Sequence, residues 1–507
     1  MKLPASHISL LALVILISGV LYHEIFFIPP VADDLWHISN ARHYGLNIFF
    51  KGDPFVRLWE RLLIAINYSI YADQHYILSA VSFFGFLLGI VLVFVLARRW
   101  WSEQPALPLV AAILFAFHSV NVGSVYQIDT IAQLANAVMI LVCLLWFTSR
   151  AAMTGRHYHL IGVLLAAATL LTKETSIGVV FALPLVAAAL RRFVYQDETR
   201  DVWRGLLIGL GGILVVFALY MVLRAYLGAS VGETVEGTRY DLTFSPLVLA
   251  KNVAMLMGSV VYFGSTVEIM VSPNTTRLAL SAVITVVMLL LVALGFWAAL
   301  RGLSEERDGN WTEGSRRELV YAGVAAFMLA SCHFPAMLIP RVSEQYALLL
   351  TPFYSLVGGY FACRGFQWLG ERLRLAPATR ALLATALLAI YSGWMSFGIV
   401  EKLNLAETAG LRSQDFLKQI TAWHAELPDE AGPVVVCYTG DTKRMITGRK
   451  RYSVFGQDNG HLVKSTWRAF RLIPRPIEVT TPDDPNCAYR IEVADNHLTF
   501  PAASSSQ

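Results

Sequence analysis

Apolar stretches about as long as a bilayer is thick recur along this chain from residue 8 to about residue 400. Runs of roughly 20 apolar residues span hydrocarbon as helices, because backbone groups there find no water and must bond within their own segment. The expected spans are residues 8–27, 76–97, 106–117, 131–147, 158–171, 177–190, 206–227, 278–300, 319–338, 346–363 and 381–400, about 11 transmembrane helices. Composition agrees: of 507 residues, 56% are hydrophobic and 15% charged, against about one-quarter charged in soluble domains. From residue 401 the sequence turns ordinary. The fold class is therefore an α-helical polytopic membrane protein, with a membrane body over 1–400 and a small soluble domain over 401–507. Residues 8–28 lack a small-residue cleavage site and run into Phe26, Phe27, Pro29 and Pro30, so they read as a retained anchor and not a signal peptide.

Basic residues set the expected orientation. Lys2, Arg98/Arg99, Arg150/Arg156, Arg191/Arg192 and the loops 301–317 and 364–380 alternate as cytoplasmic ends should. The C-terminal domain then lies outside. Residues 247–263 are apolar but carry Lys251 and Asn252; a full span there would put Arg301, Arg307, Arg316 and Arg317 on the outer side, so a re-entrant or interfacial helix is expected. Compact loops and a short tail favour a bacterial inner membrane, with the active site and the C-terminal domain periplasmic. The net charge is +4, and its cations are scattered at helix ends without forming a stripe. The expected partners are accordingly membrane lipids and no nucleic acid.

In the tail, Ser413 reads as a helix cap, with Phe416, Ile420, Trp423 and Leu427 on one face and Pro428 as the stop. Val434-Val435-Val436-Cys437-Tyr438 reads as a buried strand, giving an α/β or α+β extracytoplasmic domain. Cys437 and Cys487 are the two cysteines outside the apolar segments, and a disulfide between them is expected in an oxidising compartment. No His, Cys, Asp or Glu grouping has metal-ligand spacing. No metal or other cofactor is required.

Polar residues gather at the outer helix ends. Asp33 and Asp34 follow the first span directly, where a carboxylate can take the proton of an attacking hydroxyl. Arg57, Lys173, Arg224 and Arg341 lie at or near outer ends, where positive-inside statistics predict few cations. An anionic phosphate headgroup explains all four together. His118, Asn121, Gln127 and Asp129 form a polar set suited to sugar hydroxyls. Thr172-Lys173-Glu174-Thr175 joins two spans too short for an ordinary crossing, so this charged turn is expected to be drawn inward over a thin-floored cavity.

These residues resemble the start of the GT-C membrane glycosyltransferases related to protein O-mannosyltransferases. The resemblance runs through Asp33-Asp34 with Ile38 and Asn40, then Phe55-Val56-Arg57-Leu58-Trp59 leading to Ile66-Asn67-Tyr68. Downstream, Ala112-Ile113-Leu114-Phe115-Ala116-Phe117-His118 resembles the family's third helix, Leu171-Thr172-Lys173-Glu174 its Lys-Glu turn, and Ser343-Glu344-Gln345-Tyr346 with Pro352 a later Ser-Glu-Arg-Tyr signature. The shared order, over about residues 8–354, is the stronger signal. It implies a GT-C fold, a polyprenyl-phosphate sugar donor, inversion, and a catalytic Asp in the first outer loop, matched by Asp33 or Asp34. Donor-phosphate candidates are Lys173, Arg341, Arg57 and Arg224; substrate-binding candidates are His118, Glu174, Asp129 and Tyr346. Departures are Ser119 and Asn121 for the usual Pro and His, Gly123 for an acidic residue, and Gln345 for the signature Arg. Arg341 is the expected substitute cation.

The expected function is transfer of a sugar from a polyprenyl-phosphate carrier to an extracytoplasmic glycan, lipid or protein. A lipid-linked-sugar carrier or flippase of the envelope is the alternative, since a polar cavity among apolar helices also serves transport. A non-catalytic envelope scaffold is a third reading, in which Asp33 and Asp34 are dispensable.

Overall fold

The computed structural model describes residues 5–30, 34, 57–71, 76–227, 234–235, 238–239, 242–265, 274–305, 313–339, 344–427, 434–440, 477–480, 485–494 and 497–500. In chain order its longer helices are α1 (Ala5–Leu21), α2 (Leu58–Tyr71), α3 (Tyr76–Trp100), α4 (Leu107–Ala116), α5 (Asn121–Tyr126), α6 (Ile131–Phe147) and α7 (Tyr158–Leu170). There follow α8 (Ile177–Phe193), α9 (Thr199–Tyr226), α10 (Pro246–Val261), α11 (Thr275–Glu305), α12 (Glu313–Ser331), α13 (Thr351–Arg372) and α14 (Pro377–Ala425).

Among the described residues six helical stretches, at α3, α8, α9, α11, α12 and α14, are long and apolar enough to cross a membrane. Five shorter apolar helices, α1, α4, α6, α7 and α10, accompany them. The chain is an integral membrane protein. Its lipid-facing surface is visible in α9, where Leu207, Leu214, Leu219 and Val222 are exposed, as apolar side chains in hydrocarbon can be. Inside, α4 packs between α3 and α13, with Ala111, Ala112, Leu114 and Phe115 buried. Trp101 stacks on Tyr360 at 5.3 Å and Trp100 on Tyr321 at 5.4 Å, closing the end of α3 that carries Arg98 and Arg99.

Two boundaries differ from expectation. The helix over the span expected at 346–363 begins instead at Thr351, after a 3-10 turn over Glu344–Leu349, and it is not among the described helices apolar enough to cross a membrane. Pro352 decides the start, since proline belongs in a helix's first turn, where its missing N–H costs nothing. The helix expected to start at Ser413 has no start there: α14 runs unbroken over 49 residues from Pro377. Its cap-like serine lies mid-helix because no competing turn interrupts the flanking helix formers. Of the four residues predicted on its inward face, Ile420 and Trp423 are buried and Leu427 is half-buried, while the side chain of Phe416 lies outside the described residues.

The segment 247–263 forms the 16-residue α10. Asn252, Leu256 and Val260 fall on its buried face, while Leu247, Lys251 and Met255 are outward. Asn252 explains its own presence: its Nδ2 donates to Met337 O at 2.9 Å and Ile339 O at 2.8 Å, carbonyls left over beyond α12.

A two-residue pair, β1 (Thr234–Val235) and β2 (Thr238–Arg239), is antiparallel. The C-terminal sheet comprises β3 (Val434–Gly440), β4 (Ile477–Thr480), β5 (Tyr489–Ala494) and β6 (His497–Thr499), ordered β4-β3-β5-β6. β3 runs parallel to both neighbours and β6 antiparallel to β5. Val434, Val436, Ile491 and Leu498 are buried in it, and Trp423 of α14 packs on Tyr489 and Phe500 at 5.5 Å and 5.2 Å. The expected Cys437–Cys487 disulfide is present, with Cα atoms 5.7 Å apart.

Candidate active site

The charged turn between α7 and α8 is drawn inward as expected. Leu170 ends α7, a 3-10 turn over Glu174–Ser176 follows, and Thr172, Lys173, Thr175 and Ser176 are buried. Burying a cation and hydroxyls at a tight turn is costly unless each finds a partner. Ser176 Oγ donates to Lys173 O at 2.7 Å, and Asn136 of α6 donates to Thr175 Oγ1 at 3.2 Å. The turn is thereby fixed against α6.

Onto this turn comes Arg57, from 117 residues earlier, at the entrance to α2. Its Nη2 donates to Glu174 Oε1 at 3.0 Å and its Nε approaches Oε2 at 3.4 Å, a forked pairing. Arg57 Nη1 also lies 3.7 Å from Glu60 Oε2, one turn along, and Glu60 is 1% exposed. Burial opposes the charge on Arg57, but Glu174 and then Glu60 more than offset it, and its pKa is raised above the ordinary value. Tyr346 lies within electrostatic reach of the same guanidinium. On α9, Arg224 is buried, its Nη1 donates to Tyr220 Oη at 3.2 Å, and Tyr220 is in electrostatic reach of Glu174 and Arg57.

The structure thus gathers Arg57, Lys173, Glu174, Arg224 and Tyr346 from four separate stretches. Arg57, Lys173 and Arg224 against Glu60 and Glu174 leave one positive charge among these five. Asp34 is buried at 2% exposure. Asp33 and Arg341 lie outside the described residues, as does the side chain of Asp129, whose backbone is in a 3-10 turn over Ile128–Thr130.

His118 is engaged with the protein itself. Its Nε2 meets Val260 O at 2.8 Å, so it carries the proton there, and its Nδ1 accepts the Val120 amide at 3.3 Å. Ser119 Oγ donates to Gly264 O at 2.9 Å. The positions that depart from the family pattern tie loops together: Thr351 Oγ1 donates to Asn121 Oδ1 at 3.0 Å, and Gln345 donates to Gln127. Glu60 and Tyr220 were not anticipated, nor was Lys402, a buried lysine whose Nζ donates to Ser119 O at 3.0 Å. Lys402 carried one usable signal, a cation just past an apolar span on its expected outer side.

Two solved structures share this fold, both of ArnT from Cupriavidus metallidurans. The form bound to undecaprenyl phosphate is 12% identical with a TM-score of 0.52, and the apo form 13% identical with a TM-score of 0.55. Each comparison covers 98% of both chains. ArnT is a GT-C glycosyltransferase. The chain has a GT-C fold. The fold implied by the sequence resemblance is therefore borne out over nearly the whole GT-C chain, including the C-terminal segment that the resemblance did not reach. No family model matches the sequence, and no curated protein matches it.

Proposed function

We propose that this chain is an inverting glycosyltransferase that moves a sugar from a polyprenyl-phosphate donor to an extracytoplasmic glycan, lipid or protein. The observation that carries the reading is the partly buried Arg57–Glu174 ion pair beside the buried Lys173 and Arg224, in a GT-C fold. ArnT's bound undecaprenyl phosphate supports a lipid phosphate as partner. The membrane body over 1–400 carries the reaction, and the domain over 401–507 lies on the same outer, periplasmic side.

In the proposed reaction, Asp33 or Asp34 takes the proton from the acceptor hydroxyl as its oxygen bonds to the anomeric carbon. The bond from that carbon to the donor's phosphate oxygen breaks, and the polyprenyl phosphate departs with the electron pair. Lys173 and Arg341, with Arg57 and Arg224 behind them, stabilise the phosphate charge. Glu174 acts through Arg57 by aiming its guanidinium. Tyr346 and Asp129 complete the proposed substrate pocket, while His118, with both ring nitrogens bonded to backbone, is committed to its own loop.

The test measures sugar transfer and donor binding separately in membranes of equal expression. Asp33→Asn or Asp34→Asn should cut transfer by about 10² to 10⁴ with donor binding kept. Lys173→Ala should instead raise the donor concentration needed for half-maximal rate. Normal transfer by both Asp variants would reject the base and favour a carrier. Comparison of envelope glycans with and without the gene identifies the sugar and acceptor.

A further inference from the structure

At the arginine-bearing ends of α7, α8 and α9 the helices do not close on one another. They leave a shallow crevice between them, open to the outside. Its floor is Pro184, Ala188, Leu206 and Gly209, and Arg191 and His159 stand at its rim. The α9 surface beside it is lipid-facing, with Trp203, Leu207 and Ile208 exposed. Two features make the groove. Gly209 lies against Pro184, where a Cβ would meet the proline ring at 3.2 Å, so the helices touch at that level. One turn earlier Gly205 has no side chain, and the Arg191 guanidinium lies across it.

The rim is electrostatically unbalanced. Arg191 Nε donates to Asp197 Oδ2 at 2.8 Å, and Arg150 Nη1 binds Asp197 Oδ1 at 2.7 Å. Two guanidiniums share one carboxylate, leaving one positive charge. Among the described residues the Nη groups of Arg191 meet no acceptor, and Nη1 is turned toward Gly205 at the groove. A membrane-facing slot with an apolar floor is filled by lipid, since water gains no hydrogen bonds there. A cation at its mouth, at headgroup level, selects among lipids by charge.

We propose that this groove binds one anionic phospholipid from the leaflet at these arginine-bearing ends. The first part of an acyl chain lies over Ala188 and Gly209, and the phosphate accepts from Arg191 and from His159. The occupant is a structural lipid, separate from the Arg57–Glu174 group. The choice of an anionic headgroup over a zwitterionic one rests on the uncancelled charge of Arg150 and Arg191 over Asp197.

The protein is placed in nanodiscs of mixed phosphatidylglycerol and phosphatidylethanolamine, released, and weighed with its retained lipids by native mass spectrometry. Wild type should retain phosphatidylglycerol about fivefold over its share of the mixture, the preference one nearby cation provides. Arg191→Gln should abolish the preference and Arg191→Lys should restore it. Ala188→Trp, which fills the floor, should lower retention of both lipids at this site while thermal unfolding stays near wild type. Equal retention of the two lipids by wild type overturns the proposal. So does an undiminished preference in Arg191→Gln, which stands as a test even where Ala188→Trp fails to fold.

Discussion

His118 sits in the loop after α4 at 1% exposure, and its bonding to Val260 O and the Val120 amide requires a neutral ring. Burial first, and then the nearby Lys402 charge, push its pKa down to about 4, against the opposing pull of the Val260 carbonyl. The unfolded chain protonates near 6.5, so between those values it binds more protons than the folded one. Stability is therefore full above about 6.5 and falls as pH drops toward 4, by up to about 3 kcal/mol. In thermal unfolding of the detergent-purified protein, wild type should lose more stability from pH 7.5 to pH 5 than His118→Gln does. Equal losses would remove His118 as the source. Nearby residues follow the same economy: Ser119, Lys402 and Asn121 are all committed to holding this loop onto its neighbours. The residue types pointed to polar function, but their partners lie on helices remote in sequence, so the roles were not legible from the chain.

Among the elements, α11 and α13 cross in close contact. A Cβ on Gly295 would collide with the Phe361 carbonyl oxygen, and one on Gly365 with the Leu291 carbonyl oxygen, so each glycine seats the other helix's backbone. Membrane helices gain little from apolar burial against one another and depend on such close approach. Phe296 on Phe361 and Trp297 on Trp368, at 5.5 Å and 5.1 Å, flank the crossing. Gly295→Leu or Gly365→Leu should separate the pair and cost about 3 kcal/mol. Gly393→Leu on α14, where a Cβ meets nothing within 4 Å, is the matched control. Thermal midpoints that fall no further for Gly295→Leu than for Gly393→Leu would show that the crossing tolerates a side chain. The apolar runs made both helices predictable; which faces meet was not, because their glycines are only two of many.

For the molecule as a whole, the alternating arginines and the disulfide argue for the same side. A Cys437–Cys487 bond closing a loop with a sequence separation of 50 stabilises the sheet by about 4 kcal/mol on loop entropy. Such a bond persists only in an oxidising compartment. A phosphatase fused after Gln507 should therefore be active. In protein from native membranes, Cys437 and Cys487 should resist alkylation until reduced. An inactive phosphatase together with two freely alkylated thiols would reverse the orientation and move every proposed outer residue to the cytoplasm.

What the amino-acid order determined by itself is what depends on solvation of contiguous residues. Hydropathy marks the apolar helices at their approximate places, and the charged Lys173-Glu174 turn between two apolar stretches is legible as drawn inward. The paired tail cysteines and the buried face of Ile420 and Trp423 are legible for the same reason. Tertiary structure alone decided where α14 begins and that it continues through Ser413, because a cap residue acts only where the chain actually turns. It alone joined Arg57 to Glu174 across 117 residues and buried Arg224 and Lys173. Hydropathy acts on each segment independently, whereas an ion pair between distant segments exists only after packing has chosen which helix ends become neighbours.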